Sequence, residues 1–331
     1  MPCRNEEVFI GRCVESVIAN EYPKDRLELL VVDGMSEDRT MEIVGGYAER
    51  YPFIRIFTNP GKMQTYATNI GLRTARGEVV IRMDAHAEYP ASYISRCVGR
   101  LEESQADCVG GTWVTKAGKD TVRAKAIALA LTHPFGVGNA HFRTGVDSPR
   151  EVDTVPFGCY RKEVFDRVGL FNENLDRTDD IEFNLRLKRN GGKILLFPDI
   201  SSVYYARTGF RQLARQNFGN GFWVIYSLAF AKTPFSARHL VPLAFVLSLL
   251  GSLSISFVCA PFFYLFAFIA GLYLAANMFV SLRLSLSRGL KYFPALIAGF
   301  LTLHVSYGAG SLWGTVKLGA KLLKGERRAS L

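Results

Sequence analysis

Between His239 and Leu282 the chain carries no Asp, Glu, Lys or Arg, and the uncharged pattern returns from Tyr292 to Val316 after a basic stretch holding Arg283, Arg288 and Lys291. A run of that length accommodates two apolar spans of about 20 residues each, which is what a helix needs to cross a bilayer. The chain therefore divides near residue 238, with a charged part before it and a lipid-adapted part after it. Spans are expected near Leu240 to Val258 and Pro261 to Leu282, with a third apolar stretch from Tyr292 to Val316. Excess positive charge favours the cytoplasmic side, so the basic loop belongs on the same side as residues 1–238. A third full crossing would put Lys317, Lys321, Lys324, Arg327 and Arg328 on the far side, against the same rule. The alternative is a third stretch that is re-entrant, or broken at Gly308 and Gly310. His304 within it reads as a helix–helix contact rather than a ligand.

Charge follows the same division. The 331 residues carry a formal +10; residues 1–238 hold 32 Lys and Arg against 29 Asp and Glu, whereas residues 239–331 hold 8 against 1. The basic excess sits beside the apolar segments, where it suits anionic lipid, so nucleic acid is not an expected partner. Six cysteines without a C-x-x-C pair argue against a zinc cage or a disulfide framework; they read as packing residues in a reducing cytosol. Charged residues directly after Met1 leave no room for a secretory signal peptide.

Within residues 1–208 apolar runs alternate with helical patterns. Val8, Ile10, Val14, Val17 and Ile18 offer the apolar face of a first helix. Leu27 to Val32 is a continuous apolar run, hence a buried strand ending at Asp33, with Ser36 as N-cap of a helix through Tyr47. A second unit has a strand at Ile54 to Phe57, the turn Asn59-Pro60-Gly61, Lys62 and a helix to about Thr74. The strand Val79 to Ile81 follows, then helices over Pro90 to Glu103 and Thr121 to Leu131 flanking a strand at Cys108 to Trp113. Such alternation predicts a mainly parallel sheet with its loops gathered at one edge, and Asp33 and Asp84 at that edge. A strand normally leads such a domain, and none is expected before Pro2. His133 to Asp153, rich in Gly and Pro, reads as a long flexible loop able to cover a site.

Two constellations carry chemistry. Asp84 and His86 leave the Val79 strand two residues apart, and a carboxylate with an imidazole there suits a divalent cation holding a diphosphate. The bland reading is a helix cap ahead of Pro90. Phe157-Gly158-Cys159 turns into a helix over Lys162 to Val168; Asp179-Asp180 then open a helix closed by Gly191-Gly192, before a strand at Lys193 to Phe197. Paired carboxylates at a helix N-terminus are favoured by the dipole whatever they do, but like charge also raises a carboxylate toward the range of a general base. Phe210, Leu213, Phe218, Phe222 and Trp223 mixed with Arg211 and Arg215 read as an interfacial amphipathic helix, or as a core helix.

The blocks MPCRNEE, LLVVDGMSEDRT, GKMQTYATNIGLRTARGE, RMDAHAEYP, FGCYRKEVFDRVGLFNE and RTDDIEFNLRLKRNGG, in this order, resemble the inverting family 2 glycosyltransferases of the GT-A fold, and among them the ExoA-type glucosyltransferases of succinoglycan biosynthesis. The resemblance implies an α/β, Rossmann-like nucleotide-diphospho-sugar domain over 1–208, an interfacial segment over 209–238 and a membrane region over 239–331, with the first strand of the domain missing. It implies that Pro2, Arg4, Glu6 and Asp33 hold the nucleotide base, that Lys62 lies near the diphosphate, and that Asp84 and His86 hold the ribose and Mg2+ or Mn2+. His86 departs from the commoner carboxylate. Asp180, beside Asp179, takes the catalytic-base position. The implied activity is transfer of one sugar from a UDP-sugar, UDP-glucose, to a polyprenyl-diphosphate-linked oligosaccharide at the bacterial inner membrane. The catalytic domain would face the cytoplasm, with other exopolysaccharide-assembly proteins as partners. A processive polysaccharide synthase and a non-catalytic membrane scaffold are the rivals. The region RQLARQNFGNGFW lacks the R-W of processive enzymes, which favours single transfer.

Overall fold

A computed structural model of the chain describes residues 1–232 and 235–324. Arg327 and Arg328 of the expected basic tail lie outside the described residues. Two compact units result: Met1–Val114 with His141–Tyr204, and Thr115–Ala140 with Tyr205–Leu331. The segment Thr115–Ala140, expected within the N-terminal domain, groups instead with the C-terminal helices.

The first unit opens with β1 (Pro2–Cys3), α1 (Ile10–Ile18), β2 (Leu29–Asp33), α2 (Thr40–Ala48), β3 (Ile54–Thr58), α3 (Gln64–Thr74) and β4 (Val79–Ile81). Ile10, Cys13, Val14 and Val17, spaced three and four apart, are the buried stripe of α1, whereas Val8 precedes the helix and is 70% exposed. All five residues of β2 are buried, and it pairs in parallel with β1 and β3, so two residues at Pro2–Cys3 do act as a strand. α2 starts at Thr40 rather than after Ser36. Asp38 rather than Ser36 accepts from the Thr40 amide, and the Ser36 hydroxyl turns back to Asp33.

Next come α4 (Tyr93–Ser104), β5 (Cys108–Ala117), α5 (Val122–Leu131), α6 (Pro134–Val137), α7 (His141–Thr144), β6 (Arg150–Glu151), β7 (Cys159–Arg161), α8 (Glu163–Val168), α9 (Asp179–Arg189) and β8 (Ile194–Ala206). The second sheet has the order β4-β7-β5-β8-β6, and β7 runs antiparallel to both β4 and β5. The expectation of one mainly parallel sheet therefore holds only for the first three strands. Asp33 and Asp84 follow strands of different sheets. Phe183 stacks on Phe171 at 4.4 Å and on Phe165 at 5.2 Å between ring centroids, and Tyr160 of β7 meets Phe165 and Phe183 at 5.5 and 5.4 Å, fixing α8 and α9 on the sheet.

His133 to Asp153 is not an open loop. Besides α6 and α7 it carries β6, and the Arg143 guanidinium lies over the rings of Trp113 at 4.4 Å and Tyr204 at 4.9 Å. Aromatic burial with cation–π contact orders what Gly and Pro content alone marks as loose.

The second unit continues with α10 (Phe210–Tyr226), α11 (Val241–Ser256), α12 (Pro261–Arg288) and α13 (Phe293–Leu323). Three stretches are long and apolar enough to cross a membrane: Ala237–Ser256, Pro261–Arg288 and Leu290–Leu323. α13 is one unbroken helix of 31 residues; Gly308 and Gly310 do not break it. A Cβ at Gly310 would fall 2.0 Å from the Phe218 carbonyl, and one at Gly308 2.3 Å from that of Pro242, so these glycines admit neighbouring helices. His304 makes the expected helix contact. Its Nε2 lies 2.7 Å from the Phe135 carbonyl, which can only accept, leaving Nδ1 to accept from the Tyr273 hydroxyl at 2.9 Å. Five cysteines are buried, and Cys259 between α11 and α12 is exposed.

Candidate active site

The loops at the ends of β1, β2, β3 and β4 enclose a pocket of about 150 Å³ whose walls include Pro2, Arg4, Glu6, Lys62, Asp84 and His86. Six of the residues singled out in the sequence thus converge on one cavity. Close approach is built into the backbone there. A Cβ on Gly34 would stand 3.1 Å from the Lys62 carbonyl and 3.3 Å from the Arg4 Cβ, and Asn5, Met35 and Lys62 all hold left-handed φ of 54–62°. Non-glycine residues in that region are strained, and such strain persists where surrounding structure over-determines the loop.

Asp33 is beside the pocket, not in its wall. It is 6% exposed, and its carboxylate accepts from the Ser36 amide and hydroxyl. Asp84 Oδ1 accepts from Gln64 Nε2 at 3.1 Å, and its amide donates to the Tyr89 hydroxyl at 2.8 Å, which fixes the turn after β4. The His86 ring nitrogen Nδ1 faces Glu6 Oε1 at 3.2 Å. Among the described residues no three His, Cys, Asp or Glu side chains converge as a metal cage. The donors that line the pocket, the Asp84 and Glu6 carboxylates with the His86 imidazole, fit a hard cation whose remaining ligands come from a diphosphate.

Asp179 and Asp180 lie outside that pocket's wall, at the first turn of α9, after Thr178 in a left-handed conformation. A residue the sequence reading passed over ties them to β4. Arg82 Nη1 donates to Asp179 Oδ2 at 2.7 Å, with side chains only 12% and 7% exposed. Its signal was a single charge interrupting the apolar run V-V-I-R-M. Arg82 thus touches Asp179 directly and acts on Asp180 through its charge. Burial above all, then the Asp179 charge, pushes Asp180 up to about 6, against the opposing pull of Arg82. A carboxylate so placed is ionised at neutral pH yet basic enough to accept a proton. Activity limited by it is expected to rise with pH through about 6 and level off above; a profile flat between pH 5 and 7 would contradict the assignment.

A parallel β1–β3 layer, a mixed second sheet and a loop-built pocket with a carboxylate beside phosphate-suited cations define an enzyme of the nucleotide-sugar transferase class. The sequence model described as Glycosyl transferase family 2 matches residues 1–169, and the chain belongs to that family. It is therefore a glycosyltransferase. A dolichyl N-acetyl-alpha-D-glucosaminyl phosphate 3-beta-D-2,3-diacetamido-2,3-dideoxy-beta-D-glucuronosyltransferase of Methanococcus voltae is 28% identical over 258 residues, covering 76% of this chain and 78% of the relative. The succinoglycan biosynthesis protein ExoA of Rhizobium meliloti is 27% identical over 312 residues, covering 94% and 92%. The mannosyltransferase PcManGT of Pyrobaculum calidifontis, solved with GDP-Man and Mn2+, superposes with a TM-score of 0.58 at 19% identity, covering 94% of this chain and 85% of that one, a likeness of fold.

Proposed function

We propose that the chain is a membrane-anchored inverting glycosyltransferase that moves a single sugar, glucose from UDP-glucose, onto a polyprenyl-diphosphate-linked oligosaccharide in bacterial exopolysaccharide assembly. The observation that carries this reading is the pocket gathering Arg4, Glu6, Lys62 and Asp84, with Asp179, next to Asp180, ion-paired to Arg82 just after the strand that delivers Asp84. The near full-length likeness to a succinoglycan biosynthesis protein supports the pathway, and the dolichyl-linked acceptor in the name of the Methanococcus voltae relative supports a lipid-linked acceptor. The long apolar helices support residence in the membrane, with the catalytic unit on the cytoplasmic side.

In this account Pro2, Arg4, Glu6 and Asp33 hold the nucleotide and Lys62 its diphosphate. Asp84 and His86 would hold Mg2+ or Mn2+, which when bound neutralises charge building on the departing diphosphate. Asp180 takes the proton of the acceptor hydroxyl. The freed oxygen forms its bond to the anomeric carbon as the bond to the diphosphate breaks, so configuration inverts. Asp84→Asn is expected to weaken UDP binding in the presence of Mn2+ by about tenfold or more, and by clearly less without the metal. Titration of UDP with and without the metal tests this; equal loss in both would remove Asp84 from the metal. Product size separates this reading from a processive synthase: one added sugar is expected, and a polymer ladder would overturn it.

A further inference from the structure

α10 and α13 lie side by side and parallel. Phe210 packs at Gly299, Phe218 at Gly310, Gly221 at Tyr307 and Ser311, and Phe222 at Gly314. The Lys321 ammonium then sits 4.0 Å from the ring centroid of Phe230, just past α10. Register along the pair places Arg211 and Arg215, both exposed, beside residues 300–305 of α13. That is the middle of the uncharged stretch Tyr292 to Val316. If α13 crossed the bilayer, α10 would cross with it and leave two arginines at the hydrocarbon centre, where charge is costly. Length permits α13 to span; its neighbour forbids it.

Among the described residues the α11–α12 hairpin has no such neighbour at its far end. Phe257, Val258 and Tyr264 are 84%, 92% and 75% exposed, and no charged residue occurs from His239 to Leu282. Contacts to α13 come instead from the hairpin's other end, through Pro242 and Val246 at Gly308, Tyr273 at His304 and Asn277 at the Ile297 carbonyl.

We propose that only the α11–α12 hairpin enters the bilayer, and that α13 lies with α10 along the membrane surface from which the hairpin enters, presenting Lys317, Lys321 and Lys324 to anionic headgroups. The positive-inside conflict then disappears. Arg283, Arg288, Lys291 and the lysines of α13 all stay on one side.

The inference rests on the membrane location in the reading above and not on the sugar or its acceptor. Cys259 is the one exposed cysteine, so in a Cys259→Ser background single cysteines report position cleanly. Ala237→Cys marks the hairpin's entrance and Lys324→Cys the end of α13. In whole cells and inside-out vesicles, a membrane-impermeant maleimide is expected to label both from the same side. Labelling from opposite sides would overturn the proposal, as would recovery of the unsubstituted chain in the soluble fraction. Because substitution can disturb folding, a C-terminal reporter on the unsubstituted chain gives a second test: fluorescence of a cytoplasmic reporter is expected, and activity of a fused periplasmic phosphatase would contradict it. Loss of sugar transfer with the labelling pattern kept would count against the catalytic reading alone.

Discussion

Asp180→Asn is expected to lower turnover by about 10² or more while donor binding persists, because the substitution keeps shape and removes only the proton acceptor. It is also expected to stabilise the fold. A carboxyl held at about 6 in the fold and near 3.8 when unfolded binds more protons folded, so the folded state loses stability as pH rises from about 4 through 6. Above that range the buried charge costs on the order of 3 kcal/mol. The melting temperature of Asp180→Asn should therefore exceed that of the parent at pH 8 and match it near pH 4. An active variant would remove Asp180 from the base position. An inactive one without the pH-dependent stability gain would point to damage at the site instead.

Arg82→Met is expected to be the more destructive change. It strands the buried Asp179 carboxylate, and breaking a buried pair from one side typically costs about 3–5 kcal/mol. Catalysis should suffer for a second reason: Arg82 is the group that holds Asp180 down, so its loss moves the base higher and shifts the rise of activity to more alkaline pH. Adding Asp179→Asn to Arg82→Met should recover much of the stability, since the stranded charge goes with it. Thermal melts of the two variants in detergent decide this. A single variant as stable as the parent, or a double variant no better than the single, would show that the pair does not hold the first turn of α9.

The local chemistry of the site was legible in the sequence to the extent that it is local. A lysine after an N-P-G turn and a carboxylate closing an apolar run are short-range patterns, and Lys62, Asp84 and His86 do meet at one pocket with Arg4 and Glu6, which only the family resemblance marked. What was not legible depends on partners far apart in the chain. Arg82 and Asp179 are 97 residues apart, and nothing in either stretch names the other. The direction of β7 is decided by its pairing with β4 and β5, which period-two patterning does not encode. The stretch at 133–153 was misread because composition reports on backbone freedom and not on the Trp113 and Tyr204 rings that receive Arg143. The possible break at Gly308 and Gly310 fails for the same reason: whether a glycine ends a helix or lets another approach is settled by the neighbouring helix, here α11 at Gly308 and α10 at Gly310.

The most direct test of the account is transfer of labelled glucose from UDP-glucose into lipid extract by membranes containing this chain, with and without Mn2+ and alongside Asp180→Asn. The account predicts metal-dependent label in a short lipid-linked product one sugar longer than its acceptor, and little or none with the variant. Absence of label from folded protein supplied with lipid acceptor, or equal label from parent and Asp180→Asn, would contradict it.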